Sequence, residues 1–521
     1  MKLFTIKYYL AVGAASLLIG CTKQLDQVNP NQQTSSTYWK TADDALKGVN
    51  ACYQMFLEDG GYMRFTPILL NIQGDDVRSN SPWTAISNVG KFQLGTADEA
   101  GYGWTFDEYY QGIFRCNQVL EYVPSISMDQ NLKNRVMGQA YFLRGLYYFH
   151  LVDMFGSVPL PTEKAKVVSQ STITEGWDRV ISDLKTAVDL LPVKYAGLGG
   201  PDQNDLGRAT KGAAMSFLGK AYLFNKKFAE ASAQFKAVID LGIYDLMPNY
   251  RDNFTDANEN NKESIYEIQF SLSAGGTDLQ WQGVPSPTWG MYSARAITFA
   301  PPNFGWRDVQ PTFSVLNEFR QEKTIAGTID PRCLSTIFYN DTVDTHLPNT
   351  PMYKTTFQAT YASSPAYLAD IFCKKYENGY GTKVDEYDWK SAINERIMRY
   401  ADVLLMYAEC QNELGNVSEC AKYIQKVRTR ANLPDRTTEF STFSQSQMRD
   451  QIAHERLLEF CLEGHRFDDI RRWGWLSDPN KLASLKSRDP EFNSYVAGRE
   501  LLPIPQKEID NNTGVKQNPT Y

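Results

Sequence analysis

Apolar residues recur at helical spacing along several long stretches of this 521-residue chain. Over residues 41–57 they fall at Ala45, Leu46, Val49, Cys52, Tyr53 and Phe56, one side of a helix. Thr41 precedes Ala42-Asp43-Asp44 as an N-cap, with first-turn acids that complement the helix dipole. A second helix is predicted over 107–122, with Tyr110, Ile113, Phe114, Asn117 and Leu120 on one side. Residues 137–155 are apolar nearly all round, which predicts an enclosed central helix stopped by Gly156 and Pro159. Residues 173–191 are amphipathic again and end at Pro192. Between 60 and 103 the period is lost, and Gly, Asn, Ser and Asp accumulate.

The clearest organisational signal lies at 209–242. Leu218-Gly219-x-x-Tyr222 is followed by Ala231-x-x-x-Phe235, which matches the tetratricopeptide pattern in length and in its small residues. Small side chains let the two helices of a pair approach, while Tyr222 and Phe235 fill the seam. A weaker copy spans 399–433, with Tyr407-Ala408 and Cys420-x-x-x-Ile424 at the corresponding places. The 137–191 pair offers a third. Between the two copies, residues 248–389 are rich in proline and glycine, with scattered tryptophans and strand-like pieces such as 264–270. The pattern predicts a mostly α protein: tetratricopeptide-like helical repeats with a long, irregular, loop-rich insertion carrying short strands. Helical repeats are expected over 41–247 and 390–475, flanking an irregular binding lobe at 248–389. Long non-repetitive segments on rigid scaffolds commonly carry recognition.

The first forty residues have a different character. Lys2 and Lys7 precede an apolar run over 8–20, and Leu18-Ile19-Gly20-Cys21 follows. A basic start, a greasy middle and small residues at a cut site make a secretory signal. Its dozen apolar residues fall short of the roughly 20 that span a bilayer. Leu18-Ile19-Gly20-Cys21 resembles a bacterial lipobox, which implies a signal peptide at 1–20, cleavage before Cys21 and acylation of its thiol. Each buried acyl CH₂ contributes about 0.8 kcal/mol, so several chains on Cys21 would anchor the protein without a spanning helix. Residues 21–40, rich in Gln, Asn, Ser and Thr, read as a lipidated tether to one body at 41–521.

Charge narrows the partners. The formal net charge is −7, which argues against nucleic acid and against anionic lipid docking through a basic patch. The seven cysteines beside Cys21 are scattered without C-x-x-C spacing and read as core residues.

Motifs along nearly the whole chain resemble the SusD/RagB family of nutrient-binding outer-membrane lipoproteins of Bacteroidetes. They include Cys21-x-x-x-Leu25-Asp26-x-x-x-Pro30, Tyr110-x-Gly112-Ile113-x-Arg115-x-Asn117, Phe142-Leu143-Arg144-Gly145 and Gly207-Arg208-Ala209-Thr210-Lys211. Later come Asp330-Pro331-Arg332, Arg399-Tyr400-Ala401-Asp402, Glu455-Arg456-x-x-Glu459-Phe460-x-x-Glu463-Gly464-x-Arg466 and Leu502-Pro503-Ile504-Pro505. Cys410 and Cys420 stand where the family commonly has alanine. The resemblance implies a non-enzymatic lipoprotein on the outer membrane, facing outward. It would capture an oligosaccharide, or in some members a peptide, for a SusC-like TonB-dependent transporter.

Catalytic and metal motifs are lacking. His150, His346, His454 and His465 have no metal spacing, and neither G-x-S-x-G nor a phosphate loop occurs. Asp252, Asn253, Asp256 and Asn258 read as a polar loop in preference to a calcium set. No cofactor or metal is expected. The charged run Glu455, Arg456, Glu459 and Glu463 has spacings that favour ion pairs with Arg466, Arg471, Arg472 or Arg399, so it reads as structural locking.

Sugars present C–H faces to aromatic rings and hydroxyls to planar polar groups. Candidate stacking residues are therefore aromatics in irregular segments: Trp83, Trp281, Trp289 and Tyr292. Candidate polar partners are Asp75, Asp76, Arg78, Gln280, Gln282 and Arg295. Trp104 reads as a staple ahead of the 107–122 helix, and Trp473 and Trp475 as structural. A surface glycan hydrolase, which would need two carboxylates across a cleft, and a scaffold that binds only the transporter are the competing readings.

Overall fold

The structure, a computed structural model, describes residues 38–96, 99–162, 168–272, 291–340, 350–378 and 383–521. Cys21, the tether up to residue 37, Gln280, Trp281, Gln282 and Trp289 lie outside the described residues. Long helices carry the frame: α1 (Ala42–Gln54), α2 (Tyr102–Tyr122), α3 (Gln130–Phe155), α4 (Ile173–Leu190), α5 (Lys211–Phe224) and α6 (Phe228–Asp240). After the irregular lobe come α7 (Tyr400–Glu413), α8 (Val417–Arg430), α9 (Gln445–Phe460) and the short α10 (Arg466–Arg472). No helix among the described residues is long and apolar enough to cross a membrane.

Capping explains where the frame begins. Thr41 accepts the Asp44 N–H at 3.2 Å, and the Asp44 carboxylate accepts the Thr41 N–H at 2.8 Å, a reciprocal capping box for α1. Asp129 accepts the Leu132 N–H at 2.8 Å and starts α3 at Gln130, seven residues before the apolar run that predicted it. The polar stretch 130–136 hides that first turn from a periodicity argument. Helix α2 likewise begins at Tyr102, so Trp104 sits inside it and not ahead of it as a staple.

Successive helices pack in a chain of neighbours, α2 to α3, α3 to α4, α4 to α5 and α5 to α6. Helix α6 then meets α7 across the whole irregular insertion, and α7 meets α8 and α9. The tetratricopeptide reading of α5 and α6 holds at atomic detail. A Cβ built on Gly219 would lie 2.6 Å from the Phe235 ring, closer than real contacts allow. In the second copy Ala408 replaces the glycine and the smaller Ile424 replaces the phenylalanine, and both are fully buried. The two seams thus balance volume in opposite ways. Cys410 and Cys420 are buried on α7 and α8. All seven described cysteines are buried and none forms a disulfide.

The lobe is closed at its base by strands β2 (Ser264–Ile268) and β4 (Glu395–Arg399), paired antiparallel with irregular register from Ser264↔Arg399 to Ile268↔Glu395. Strand β4 runs straight into α7, so the ladder fixes the lobe to the repeats. A second ladder joins β1 (Val77–Ser79) to β3 (Val309–Pro311), with Val77↔Pro311 and Ser79↔Val309. Part of the 60–103 segment, read from sequence with the helical repeats, therefore belongs spatially with the lobe. The Ala294 N–H donates to the Met63 carbonyl and the Thr312 N–H to that of Asp76. Within the lobe Phe304, Phe338, Met352, Tyr353, Phe357, Tyr361 and Phe372 make a small core of their own.

Substituting Gly219→Ala should force Phe235 aside and lower unfolding stability by about 1–3 kcal/mol. Adding Phe235→Leu should recover part of that loss. Denaturant unfolding of the three proteins checks this, and a neutral single variant would refute the seam assignment.

Candidate functional site

Two irregular segments that carry tryptophans leave the β1–β3 ladder at the same end. Beyond the Ser79↔Val309 pair, the Asn80 N–H donates to the Asp308 carbonyl at 3.1 Å. Trp83 follows on one side and Trp306 precedes on the other. Trp83 is 36% exposed. Its N–H donates to the Ser81 hydroxyl at 3.2 Å, and its carbonyl accepts the Ile86 and Ser87 N–H groups that open the helix Thr84–Gly90. The backbone is thereby pinned while the ring reaches solvent.

Behind Trp83 stands an aromatic nest. Its ring meets Phe65 edge-on at 5.6 Å and lies 6.0 Å from Trp104, while Phe65 meets Trp104 at 5.1 Å. The Arg64 guanidinium lies 4.4 Å from the centre of the Phe65 ring and 5.9 Å from that of Trp83. Buried Asp59 holds Arg64 through bonds of 2.7 and 2.5 Å. Such an arrangement locks the rings against rotation and places a cation behind their π-faces.

Trp306 packs edge-on against Trp389 at 4.7 Å, and both are half-buried. The Trp306 N–H donates to the Ile297 carbonyl at 2.8 Å. Trp389 adopts φ +63°, a left-handed conformation uncommon for a bulky residue, fixed by its N–H donating to the Glu386 carbonyl. Tyr387 beside it is 50% exposed. Paired Ser293 and Ser391 tie this corner to the Met291 end of the segment that carries Trp281 and Trp289, and the Ser271 N–H meets the Met291 carbonyl at 2.6 Å. Trp306, Tyr387 and Trp389 are likewise aromatics in irregular segments, the signal that singles out Trp83, and only the structure shows that they share one corner.

Several predicted partners lie elsewhere. Asp75 is completely buried between Arg466 (2.5 and 3.2 Å) and Arg488 (2.5 Å). Burial opposes its ionisation, yet the two guanidiniums prevail and hold its pKa at about 2. Neighbouring Asp76 is buried, accepts the Leu462 N–H, and is pushed up to about 6 by burial and by Asp75. Arg295 is buried against Glu395 and Tyr376 and donates to the Leu462 carbonyl at 2.9 Å. Tyr292 is buried, with Lys390 5.6 Å from its ring centre. These four are wall and foundation, not surface, because their polar atoms or rings face the protein. Arg78 is half-exposed and bonded to Asp370 at 3.0 Å, joining β1 to the lobe. Trp83 alone of the described candidates offers a ring to solvent.

The charged run of α9 forms a buried lattice. Arg332 bonds Asp330, Glu455 and Glu459, while Arg399 bonds Glu263, Glu459 and Glu463. Arg428 joins Glu322 to Glu455, and Arg456 joins Asp402 to Asp469. Each of these carboxylates is occupied by a guanidinium, the opposite of the free pair that glycoside hydrolysis needs. In the polar loop 252–258 the Asn253 amide N–H donates to Glu263 and that of Asn258 to Thr255, bracing the loop within the protein. Among the described residues no group of His, Cys, Asp and Glu is arranged to hold a metal ion.

The chain belongs to the SusD family. The SusD family model matches residues 262–521, and a second model, "Starch-binding associating with outer membrane", matches 24–223. A SusD-like protein of Formosa agariphila is 26% identical over 97% of this chain and 97% of its own. A crystal structure of a SusD superfamily protein from Bacteroides vulgatus superposes with a TM-score of 0.80 at 27% identity, covering 93% of this chain and all of the other. A laminarin-binding SusD-like protein gives 0.74 at 26% identity over 93% and 100% of the two chains.

His454 bridges the lattice rim, bonding Glu318 at 2.9 Å and Glu322 at 3.1 Å. Burial opposes its charge, but the two carboxylates prevail and raise its pKa to about 9. The stabilisation is complete below the unfolded value near 6.5 and is lost as pH rises towards 9. Wild type should therefore exceed His454→Gln by on the order of 2–3 kcal/mol at pH 6, the gap closing by pH 9.5. Paired urea titrations across that range measure it, and a pH-independent gap would contradict the bridge.

Proposed function

We propose that this protein is a non-enzymatic, surface-exposed binding lipoprotein of the outer membrane that captures a glycan and delivers it to a TonB-dependent transporter. The observation that carries the reading is Trp83: an exposed ring on a pinned backbone, backed by aromatic rings and a buried cation. A rigid flat ring suits the C–H face of a pyranose, because its geometry is set before binding and little rotamer entropy remains to be lost. Trp306, Tyr387 and Trp389 extend the aromatic surface from the same end of the β1–β3 ladder. Trp281 and Trp289 belong to the segment whose Met291 end meets that corner.

The likeness to a laminarin-binding protein over the full length supports a carbohydrate as ligand. A family model described as associating with the outer membrane supports the location. The Leu18–Cys21 motif supplies the anchor. Trp39 supports a defined exit for the tether: its ring stacks on Tyr122 at 5.8 Å, against Gly48 of α1, where a Cβ would lie 2.3 Å from it. The 18 steps of chain from Cys21 to Trp39 reach at most about 60 Å when extended, enough for the body to swing over a neighbouring barrel. Occupied carboxylates in the lattice support binding without hydrolysis.

Titration of the soluble body with laminarin should show saturable binding that EDTA leaves unchanged. Trp83→Ala should weaken it about tenfold, equivalent to about 1.4 kcal/mol, and Trp281→Ala or Trp289→Ala should do likewise. Unaltered affinity in all three would overturn the site. No new reducing ends should form during prolonged incubation. Cys21→Ala should move the protein from the outer-membrane fraction to a soluble one; a variant that stays attached would refute the anchor.

A further inference from the structure

A second cleft, of about 460 Å³, lies among the helical repeats, and no described residue of the 248–389 lobe lines it. Its walls are the α5–α6 turn, the end of α7, the first turns of α9 and the loop after α10. Trp473 and Trp475 from that loop stand in it with ring centres 5.4 Å apart and planes inclined by 39°. Both are half-buried. The Trp473 indole N–H donates to Glu409 at 2.9 Å, and Glu409 is itself held by Arg472 at 2.7 Å. Gly474 between the tryptophans has φ +73°, and the Trp475 N–H returns to the Ile470 carbonyl at 3.0 Å. A left-handed residue in that place turns the loop so that both rings reach one cleft.

The rim is polar and already neutralised. Arg449, 53% exposed, grips Glu413 with two bonds of 2.7 Å, and Lys481 bonds Asp450 at 2.7 Å. Lys226, Arg449, Arg472 and Lys481 balance Glu409, Glu413, Asp450 and Asp478, so the lining carries no net formal charge to attract an ion. It does present planar guanidinium and carboxylate edges beside two indole rings, Trp473 with the Arg472 guanidinium 4.8 Å from its centre and Trp475 with Lys481 at 4.9 Å and Arg466 at 5.0 Å. That combination fits a neutral polyhydroxylated chain, and the volume is that of a small-ligand site.

We infer that the Trp473–Trp475 cleft is a second glycan subsite, separate from the Trp83 surface, for a neutral oligosaccharide. The inference rests on the proposed glycan-binding function and adds a second point of attachment. Two sites on one body let a long polymer bind with avidity, while a short oligomer fills each alone.

The test is calorimetric titration of the full soluble body with neutral glucans, mannans and xylans, laminarin and laminarihexaose among them, each as polymer and hexamer. Two sites per chain are expected for the hexamer that binds. Trp83→Ala should remove one of them. Trp475→Ala and Arg449→Ala should each remove or weaken the other at least tenfold, and should lower polymer affinity more than hexamer affinity at the Trp83 site. Arg449→Ala touches only the exposed rim, so it decides the matter if Trp475→Ala fails to fold. A single site, sensitive to Trp83→Ala and indifferent to Arg449→Ala and Trp475→Ala, overturns the cleft and leaves the proposed function standing. Wild-type protein that binds none of the glycans overturns both.

Discussion

Arg399 is buried between Glu263, Glu459 and Glu463, and through them it holds the parts of this protein together. Glu263 precedes β2 at the entrance to the lobe, Arg399 ends β4 at its exit, and Glu459 and Glu463 come from the end of α9 and just beyond. Arg332, inside the lobe, reaches Glu455 and Glu459 on the same helix. A buried charge deprived of its partner costs several kcal/mol, so each member fixes the position of the others. Hydrophobic contact would press the lobe on the helices, but it is non-directional. Bidentate guanidinium–carboxylate bonds set an orientation.

That orientation is what the proposed binding surface needs. The nest behind Trp83 is reached through Arg64, whose neighbour Met63 is bonded to Ala294 of the lobe. The lobe in turn hangs on β4 and on Arg332. Asp75 and Arg295 belong to this support: Asp75 is locked by Arg466 and Arg488, and Arg295 ties Glu395 of β4 to the Leu462 carbonyl. They carry the surface without being part of it.

A rigid helical array with an inserted lobe also separates two kinds of aromatic surface. Around Trp83 the rings rise from irregular backbone pinned by ladders and turns. In the Trp473–Trp475 cleft they rise from a tight turn between repeat helices, with balanced charges around them. Chemically the two are alike, flat rings beside planar polar groups, although their supports are independent.

Helical periods, the small residues of the repeat seam and the charged run of α9 were legible in the chain, because each is local or rests on a spacing that only one structure satisfies. Gly219 with Phe235 shows this, since the pattern alone requires a close helix crossing there. The lipobox-like Leu18–Cys21 segment and the motifs of the SusD family were equally local. The start of α3 was hidden because its first turn is polar and only Asp129 marks it. Exposure was not legible, since an aspartate or tyrosine in an irregular segment looks the same whether its partner is solvent or an arginine four hundred residues away. Asp75 and Arg488 meet only in three dimensions, and so do Trp83 and Phe65 with Trp104. Sequence determined the helical repeats and the family motifs. Tertiary structure decided which charged residues are sealed inside and which rings face solvent, because pairing across distant elements depends on how the lobe is docked and not on spacing along the chain.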